Sequence, residues 1–441
     1  MTVRTLALLA IASSCARAPA PPTNGAPLSD VAASATPGAA ATAVSSSAAG
    51  PSAPATTHES ATADAVPPGT TADRAGPIDP KATAELPLEG KDFIDQARTL
   101  FRVAACGPGS DVPPRFDAAV VARHCNELGR AYSEYQKTWI DVAEPYIASL
   151  RPKDLPGVVV YPFGGGDLAS ALATFPDATE ITTISLEPAG DIRPIDTVAA
   201  DRLAHELEIH RSHLERLFEK AHSRTDNLEK ESKAELPGEL LFAIAALVVH
   251  GDEPVALRYF RLRPDGTVAY FTQADIDAAK TVAERHELFA NAELRFRGHT
   301  ADATVRVLRH ISFNLDDAHL HADPSLLAHL SAKGKVAAMT KAASHLLWSD
   351  HFAVIRTWLL DHTDWMISDS TGIPPRFAAP AGFSQDAYGT FNGPAPYGLL
   401  DARDATDVTK LFASQPKREL SFRYGYPDKD GHGHMIVTRR M

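Results

Sequence analysis

Val158-Val159-Val160-Tyr161-Pro162-Phe163-Gly164-Gly165-Gly166-Asp167 is an apolar run that enters a glycine turn and ends on an acid. A short helical segment follows to Phe175, and a second apolar run, Ile181 to Leu186, ends on Glu187-Pro188. The pattern predicts a strand, a tight turn, a helix and a second strand with a carboxylate at its tip. Parallel α/β sheets bind ligands at such turns and tips, beyond the carboxyl ends of their strands.

The same alternation returns in the last third. Val305 to Phe313 reads as a strand ending at Asn314-Leu315-Asp316-Asp317. Pro324 to Leu330 is helical, Val336 to Thr340 is a strand leading into Lys341-Ala342-Ala343-Ser344-His345, and Leu346 to His362 is helical again. Trp365 to Ser368 is a further strand, running into Asp369-Ser370-Thr371-Gly372-Ile373-Pro374. Strands that alternate with helices imply an α/β fold with a mainly parallel sheet covered on both faces.

Between these blocks lies a β-rich stretch near 238–300. Leu240 to Val249 fits a helix or a strand. Val255 to Leu262 and Thr267 to Phe271 flank Pro264-Asp265-Gly266, the chemistry of a tight hairpin. Glu293 to Arg297 and Thr304 to Asn314 flank Gly298-His299, so an insertion or an extension of the sheet is expected here. Leu420 to Tyr426 and His434 to Arg439 enclose a Pro427–Gly431 turn and predict a closing antiparallel C-terminal hairpin. A Rossmann-like sheet that finishes this way resembles class I methyltransferases in topology, and fold alone does not assign an activity.

The N-terminus predicts export. Arg4, the apolar run Leu6 to Ala12 and small residues before Cys15 describe a signal peptide over residues 1–14, too short to span a membrane. Ala12-Ser13-Ser14-Cys15 resembles a bacterial lipobox, with Ala12 where leucine is usual, and would make Cys15 a lipidated first residue. The other outcome is ordinary cleavage after Ser14. Ala16 is not Asp, so nothing resembles the inner-membrane retention signal, and an outer-membrane lipoprotein of the cell envelope is expected. Residues 15–89 are rich in Ala, Pro, Ser and Thr, and the first aromatic of the chain is Phe93. Such a segment buries too little apolar surface to offset its ordering entropy and is expected to be a disordered tether.

Residues 90–155 are expected to form an N-terminal helical segment, and 156–441 the α/β domain. Within the first, Leu128, Tyr132, Tyr135, Trp139, Val142 and Tyr146 recur at steps of four and three, a helical face that packs into a core. A charged helix is predicted from Asp196 to Lys233. Cys106 and Cys125 stand 19 positions apart. In an oxidising compartment they are expected to form a disulfide.

The chain carries 43 Lys plus Arg against 55 Asp plus Glu, with no basic run, so nucleic acid is not an expected partner. The partners expected are a membrane, through the lipid anchor, and a small-molecule ligand; the sequence names no protein partner.

Several motifs group this chain with others. Tyr161 to Asp167, Phe175-Pro176, Leu186 to Gly190, Lys341 to Leu347 and Asp369 to Pro374 resemble motifs of uncharacterised exported bacterial proteins, whose patterns run YPFSGPD, EPxG, KAASYLL and QDDSGIP. The resemblance spans residues 157–376. Gly165-Gly166 replaces Gly-Pro, and Ser368 stands where Gln is usual. It implies grouping and location, and no chemistry.

Gly164, Gly165 and Gly166 let backbone approach a ligand, and Glu187 follows Gly166 by 21 positions, near where a Rossmann acid grips a ribose hydroxyl. The motif is not GxGxxG, and Asp167 would repel a phosphate while serving well as a helix cap. S-adenosylmethionine therefore fits the turn better than NAD, although export removes an assured supply, and the cofactor is left unknown. Asp317, His319 and His321 are the metal candidates, because alternate residues of an extended chain point the same way. No GxSxG elbow, P-loop or CxxC is present. Asp167, Lys341 and Asp369 are the catalytic candidates. With Glu187 and Asp316 they would converge on one carboxyl edge if their strands are neighbours, or else serve as helix caps and one salt bridge. Two functions fit: a cell-envelope ligand-binding or interaction protein using that edge, or an enzyme on the same cleft, by methyltransferase-like group transfer or metal-assisted hydrolysis.

Overall fold

The computed structural model describes residues 89–109, 112–220, 235–300, 302–394 and 402–441. The expected signal peptide, Cys15, nearly all of the tether and the end of the charged helix beyond residue 220 lie outside the described residues. No described helix is long and apolar enough to cross a membrane.

Ten strands form one mixed sheet: β1 Val158–Pro162, β2 Glu180–Ser185, β3 Asp252–Leu262, β4 Val268–Tyr270, β5 Asn291–Gly298, β6 Arg306–Ser312, β7 Val336–Thr340, β8 Thr363–Ser368, β9 Phe383–Gly389 and β10 His434–Arg440. Their spatial order is β4-β3-β5-β6-β2-β1-β7-β8-β10-β9. The central block β6-β2-β1-β7-β8 is parallel. Beyond β6 the strands β5, β3 and β4 add antiparallel, so the β-rich stretch extends the sheet. Beyond β8 the order continues antiparallel through β10 and β9.

Burial on both faces explains the continuous apolar strands. Val159 and Tyr161 of β1 enter one core and Val160 the other, as the period of two requires. The first core takes the N-terminal helices Ile94–Val103, Ala118–Tyr135 and Asp141–Leu150, together with the helices Leu168–Thr174, Ala200–Lys220 and Gly238–His250. Leu240 to Val249 is thus helical. The second core takes helices Asp317–Ala322, Ser325–Ser331 and Ala353–His362. The helix 118–150 is continuous through a π turn at Gln136–Ile140, and Leu128, Tyr135 and Trp139 of its aromatic stripe are buried.

One expectation fails at the C-terminus. β10 pairs with β8 and β9, not with Leu420 to Tyr426. The alternation of Phe422 and Tyr424 reflects packing, not a ladder. The carbonyl of Arg423 accepts from the Trp139 indole at 2.6 Å, and that of Glu419 from the Tyr146 hydroxyl at 2.7 Å. Gly425, at φ +78°, then turns the chain away. The outer edge of β9 is closed by Gln415 and Arg418, which bond to Ala387 and Gln385. Covering an edge in this way blocks further strand pairing.

Cys106 and Cys125 form a disulfide with Cα atoms 5.3 Å apart. It ties the segment after the first helix to the middle of the second. Replacing both by serine is expected to lower stability by about 3 kcal/mol from loop entropy. Urea denaturation checks this; an unchanged midpoint would contradict a stabilising role.

Near that disulfide the interior holds neutral histidines. His210 is 1% exposed, and neither ring nitrogen has a hydrogen-bond partner among the described residues. Its Nε2 stands 3.9 Å from Glu206, beyond hydrogen-bond reach. Burial, reinforced by His213 and His124, pulls its pKa down to about 3. The unfolded chain therefore binds a proton that the folded chain refuses between pH 6.5 and about 3, and stability falls as pH drops through that window. At pH 5 this group alone costs about 2 kcal/mol. Burial lowers His329 and His250 to about 4, with the same sign. Urea midpoints from pH 7.5 to 5 should fall steadily; a flat profile above pH 5 would contradict the buried neutral rings.

Candidate functional site

The parallel block reverses its order between β1 and β7. From β1 the chain steps outward to β2 and β6, then returns to β7 and continues to β8 on the other side. Ligands of open α/β sheets bind beyond the carboxyl ends at this point of reversal. A cleft of about 350 Å³ lies there, at the lower end of the range for small-molecule sites.

Its floor is polar and closed. Lys341, at the tip of β7 and 2% exposed, pairs with Asp167 at 2.7 Å and donates to Ser170 Oγ at 2.7 Å. Asp167 also accepts from the Tyr161 hydroxyl at 3.1 Å, and its other oxygen caps the helix Leu168–Thr174 through Ser170 N at 3.3 Å. Burial, and then the charge of Asp167, holds the Tyr161 phenol well above its usual pKa, so it is a neutral donor. The Lys341 ammonium also sits 5.9 Å from the centroid of the Tyr424 ring. A buried ion pair this fully bonded fixes the geometry of the floor.

Asp369 lies outside the lining and is fully buried. Its Oδ2 accepts from Ala342 N at 3.0 Å and Tyr426 N at 2.9 Å, and Oδ1 accepts from Thr371 N at 2.8 Å and from the Thr371 hydroxyl. It partners these loops and not Lys341, clamping two of the segments that wall the cleft. A Cβ at Gly425 would lie 2.1 Å from that carboxylate, so glycine is required there.

Among the described residues only Cys106, Phe163 and Ala342 hold a positive φ without being glycine. Phe163 (φ 62°) and Ala342 (φ 57°) sit at the tips of the neighbouring strands β1 and β7, and both line the cleft. Each left-handed residue costs about 1–3 kcal/mol and persists only where surroundings over-determine it, a pattern concentrated at functional sites. The Asp369 bond to Ala342 N supplies that constraint at β7.

The three glycines separate in role. Gly164 and Gly165 line the cleft. Gly166 faces the helix Gly238–His250, where a Cβ would come within 2.8 Å of Glu239 O and of Phe242 Cβ. A Cβ at Gly164 would meet the Tyr161 ring at 2.6 Å. Close packing therefore accounts for these two glycines without a ligand.

Glu187, beyond β2, also lines the cleft and is half-buried. Its carboxylate makes no hydrogen bond or ion pair with a described residue, while its carbonyl accepts from His310 at 2.9 Å. His345 adds an imidazole whose pKa burial lowers, and whose Nδ1 stands 3.4 Å from Ala342 O. Sequence reasoning missed the collar around this floor: Phe163, Leu186, Leu217, Phe313, Phe352 and Tyr426. Phe163 and Phe313 were discoverable as aromatics directly beyond strand ends. Leu186 likewise stands directly beyond β2, whereas Leu217, Phe352 and Tyr426 come from remote segments.

Asp316 does not reach the cleft. It caps the helix Asp317–Ala322 through His319 N at 2.8 Å and bonds the His319 ring at 2.7 Å. The metal candidates disperse for the same reason. Their segment is helical, not extended, so His319 and His321 diverge by about 200°. The Asp317 carboxylate accepts from Ala353 N and Val354 N, at the start of the helix Ala353–His362. Among the described residues the group with three convergent donors is Asp428, Asp430 and His432. There Asp428 is saturated by Asn392 N, Asp430 N, His432 N and the His432 ring, and Asp430 pairs with Lys429. Those bonds build a turn.

No family model, curated protein or solved structure matches the chain.

Proposed function

We propose that the protein binds a small organic molecule in the cleft beyond β1, β2, β6 and β7, as an exported component of the cell envelope. The observation that carries this is the cleft itself. It lies where the strand order reverses, between two left-handed residues, with a Glu187 carboxylate that makes no hydrogen bond or ion pair with a described residue. Binding is favoured over catalysis because the candidate acid and base, Asp167 and Lys341, are consumed by one another and Asp369 is sealed away. Anchoring through a lipid on Cys15 belongs to the same proposal, as does grouping with the exported proteins that share its motifs. The Cys106–Cys125 disulfide supports an oxidising location.

A second reading has one specific observation in its favour. The order β6-β2-β1-β7-β8-β10-β9, with β10 alone reversed among these seven, resembles that of Rossmann-like class I methyltransferase sheets. Group transfer on the same cleft is the corresponding activity. Dispersal of His319 and His321 gives metal-assisted hydrolysis no comparable support.

The test is a thermal-shift screen of the full chain against nucleosides, nucleotides, sugars, amines, S-adenosylmethionine and divalent metals. An organic ligand should raise Tm, and Ala343→Trp, which fills the cleft, should abolish the rise. No ligand in any class, or a shift that survives Ala343→Trp, overturns the proposal.

A further inference from the structure

Tyr161, Phe163, Phe313, Phe352 and Tyr426 bring five aromatic side chains to about 350 Å³, with Phe163 and Phe352 packed edge to face at 6.0 Å. Besides the phenols of Tyr161 and Tyr426, the ionisable groups of the lining are Asp167, Glu187, Lys341 and His345. Asp167 and Lys341 neutralise each other at 2.7 Å. Glu187 then remains as one negative charge that no described residue pairs, and the buried Asp369 behind Ala342 adds to the negative field. No uncompensated cation among the described lining residues would receive a phosphate or carboxylate.

We infer that the ligand is an organic cation, carrying a quaternary ammonium, basic amine or sulfonium, held against the aromatic collar with its charge balanced by Glu187. The inference rests on the ligand-binding reading of this cleft. Aromatic faces attract cations through the ring quadrupole, most strongly when the cation is desolvated. A half-buried carboxylate at the same mouth supplies the counter-charge that an enclosed cation requires. Close packing explains Gly164 and Gly166 without a phosphate, and the Lys341 ammonium that could receive one is already paired with Asp167. The selection is thus for cations over isosteric anions.

Calorimetric titration of the full chain with benzyltrimethylammonium, benzyl alcohol and phenylacetate tests this. The cation should bind about tenfold or more tightly than either other probe. Glu187→Gln should weaken the cation by about tenfold and leave benzyl alcohol unchanged, because the lost interaction is one of charge. Glu187 makes no side-chain bond to described residues, so an unshifted Tm in Glu187→Gln separates lost binding from lost folding. Phe352→Leu should weaken the cation while preserving apolar volume. Phenylacetate binding as well as the cation, no binding by the cation, or a Glu187→Gln variant with unaltered preference overturns the inference. If an anionic or neutral compound from the wider screen shifts Tm and Ala343→Trp removes that shift, the ligand-binding reading stands and the cation assignment alone fails.

Discussion

Lys341→Met is expected to destabilise the protein by about 3–5 kcal/mol, and adding Asp167→Asn is expected to restore a large part of that loss. Lys341 and Asp167 are both buried, and the pair shares its environment with Tyr161 and Ser170. Removing the ammonium alone leaves a carboxylate with little water and only neutral donors. Asparagine removes that charge while its one oxygen still caps Ser170 N, and its amide NH2, standing where Oδ2 was, donates to the Tyr161 hydroxyl. The two substitutions should therefore be far from additive, as expected for groups in direct contact. Urea denaturation of both single variants and the double variant measures the coupling. Additive losses would mean that the pair is not the unit described.

Asp369→Ala is expected to cost about 4 kcal/mol, because three backbone N–H groups and one hydroxyl lose a charged acceptor in a dry interior. The carboxylate joins the loop after β7, the turn after β8 and the segment before β10. Ala342 and Tyr426 line the cleft, so the variant should also lose the ligand response at temperatures where it remains folded. Asp369→Asn should cost roughly half as much, since one oxygen survives and the amide meets N–H donors. A stable Asp369→Ala protein with intact ligand response would show that the clamp does not shape the cleft.

The parallel centre of the sheet was legible because strands buried on both faces are rich in apolar residues, as Val158–Tyr161 and Val336–Met339 are. The hairpin across Gly266 was legible from its turn chemistry, with Asp265 accepting Thr267 N at 2.9 Å. The partner of β10 was not. Phe422 and Tyr424 alternate because they pack beneath the helix 118–150, and a period of two does not reveal where the carbonyls bond. The histidines 319 and 321 misled for a related reason, since a segment of six residues carries too few positions to separate helix from extended chain. At the site, position along the chain placed Asp167, Glu187 and Lys341 on one edge. It did not reveal that Asp167, rather than Asp369, would take Lys341. That choice follows from register: β1 and β7 are adjacent, and the cap position of Asp167 aims its carboxylate across them. The collar was hidden because Leu217, Phe352 and Tyr426 meet only through the fold.

The central claim is that the cleft at the reversal of strand order is where this protein meets its ligand. A crystal structure of the full chain with the compound giving the largest thermal shift tests it most directly. The account predicts that compound between Phe163, Phe352 and Glu187, above an intact Lys341–Asp167 pair. The compound bound elsewhere, with the cleft holding only solvent, would contradict it.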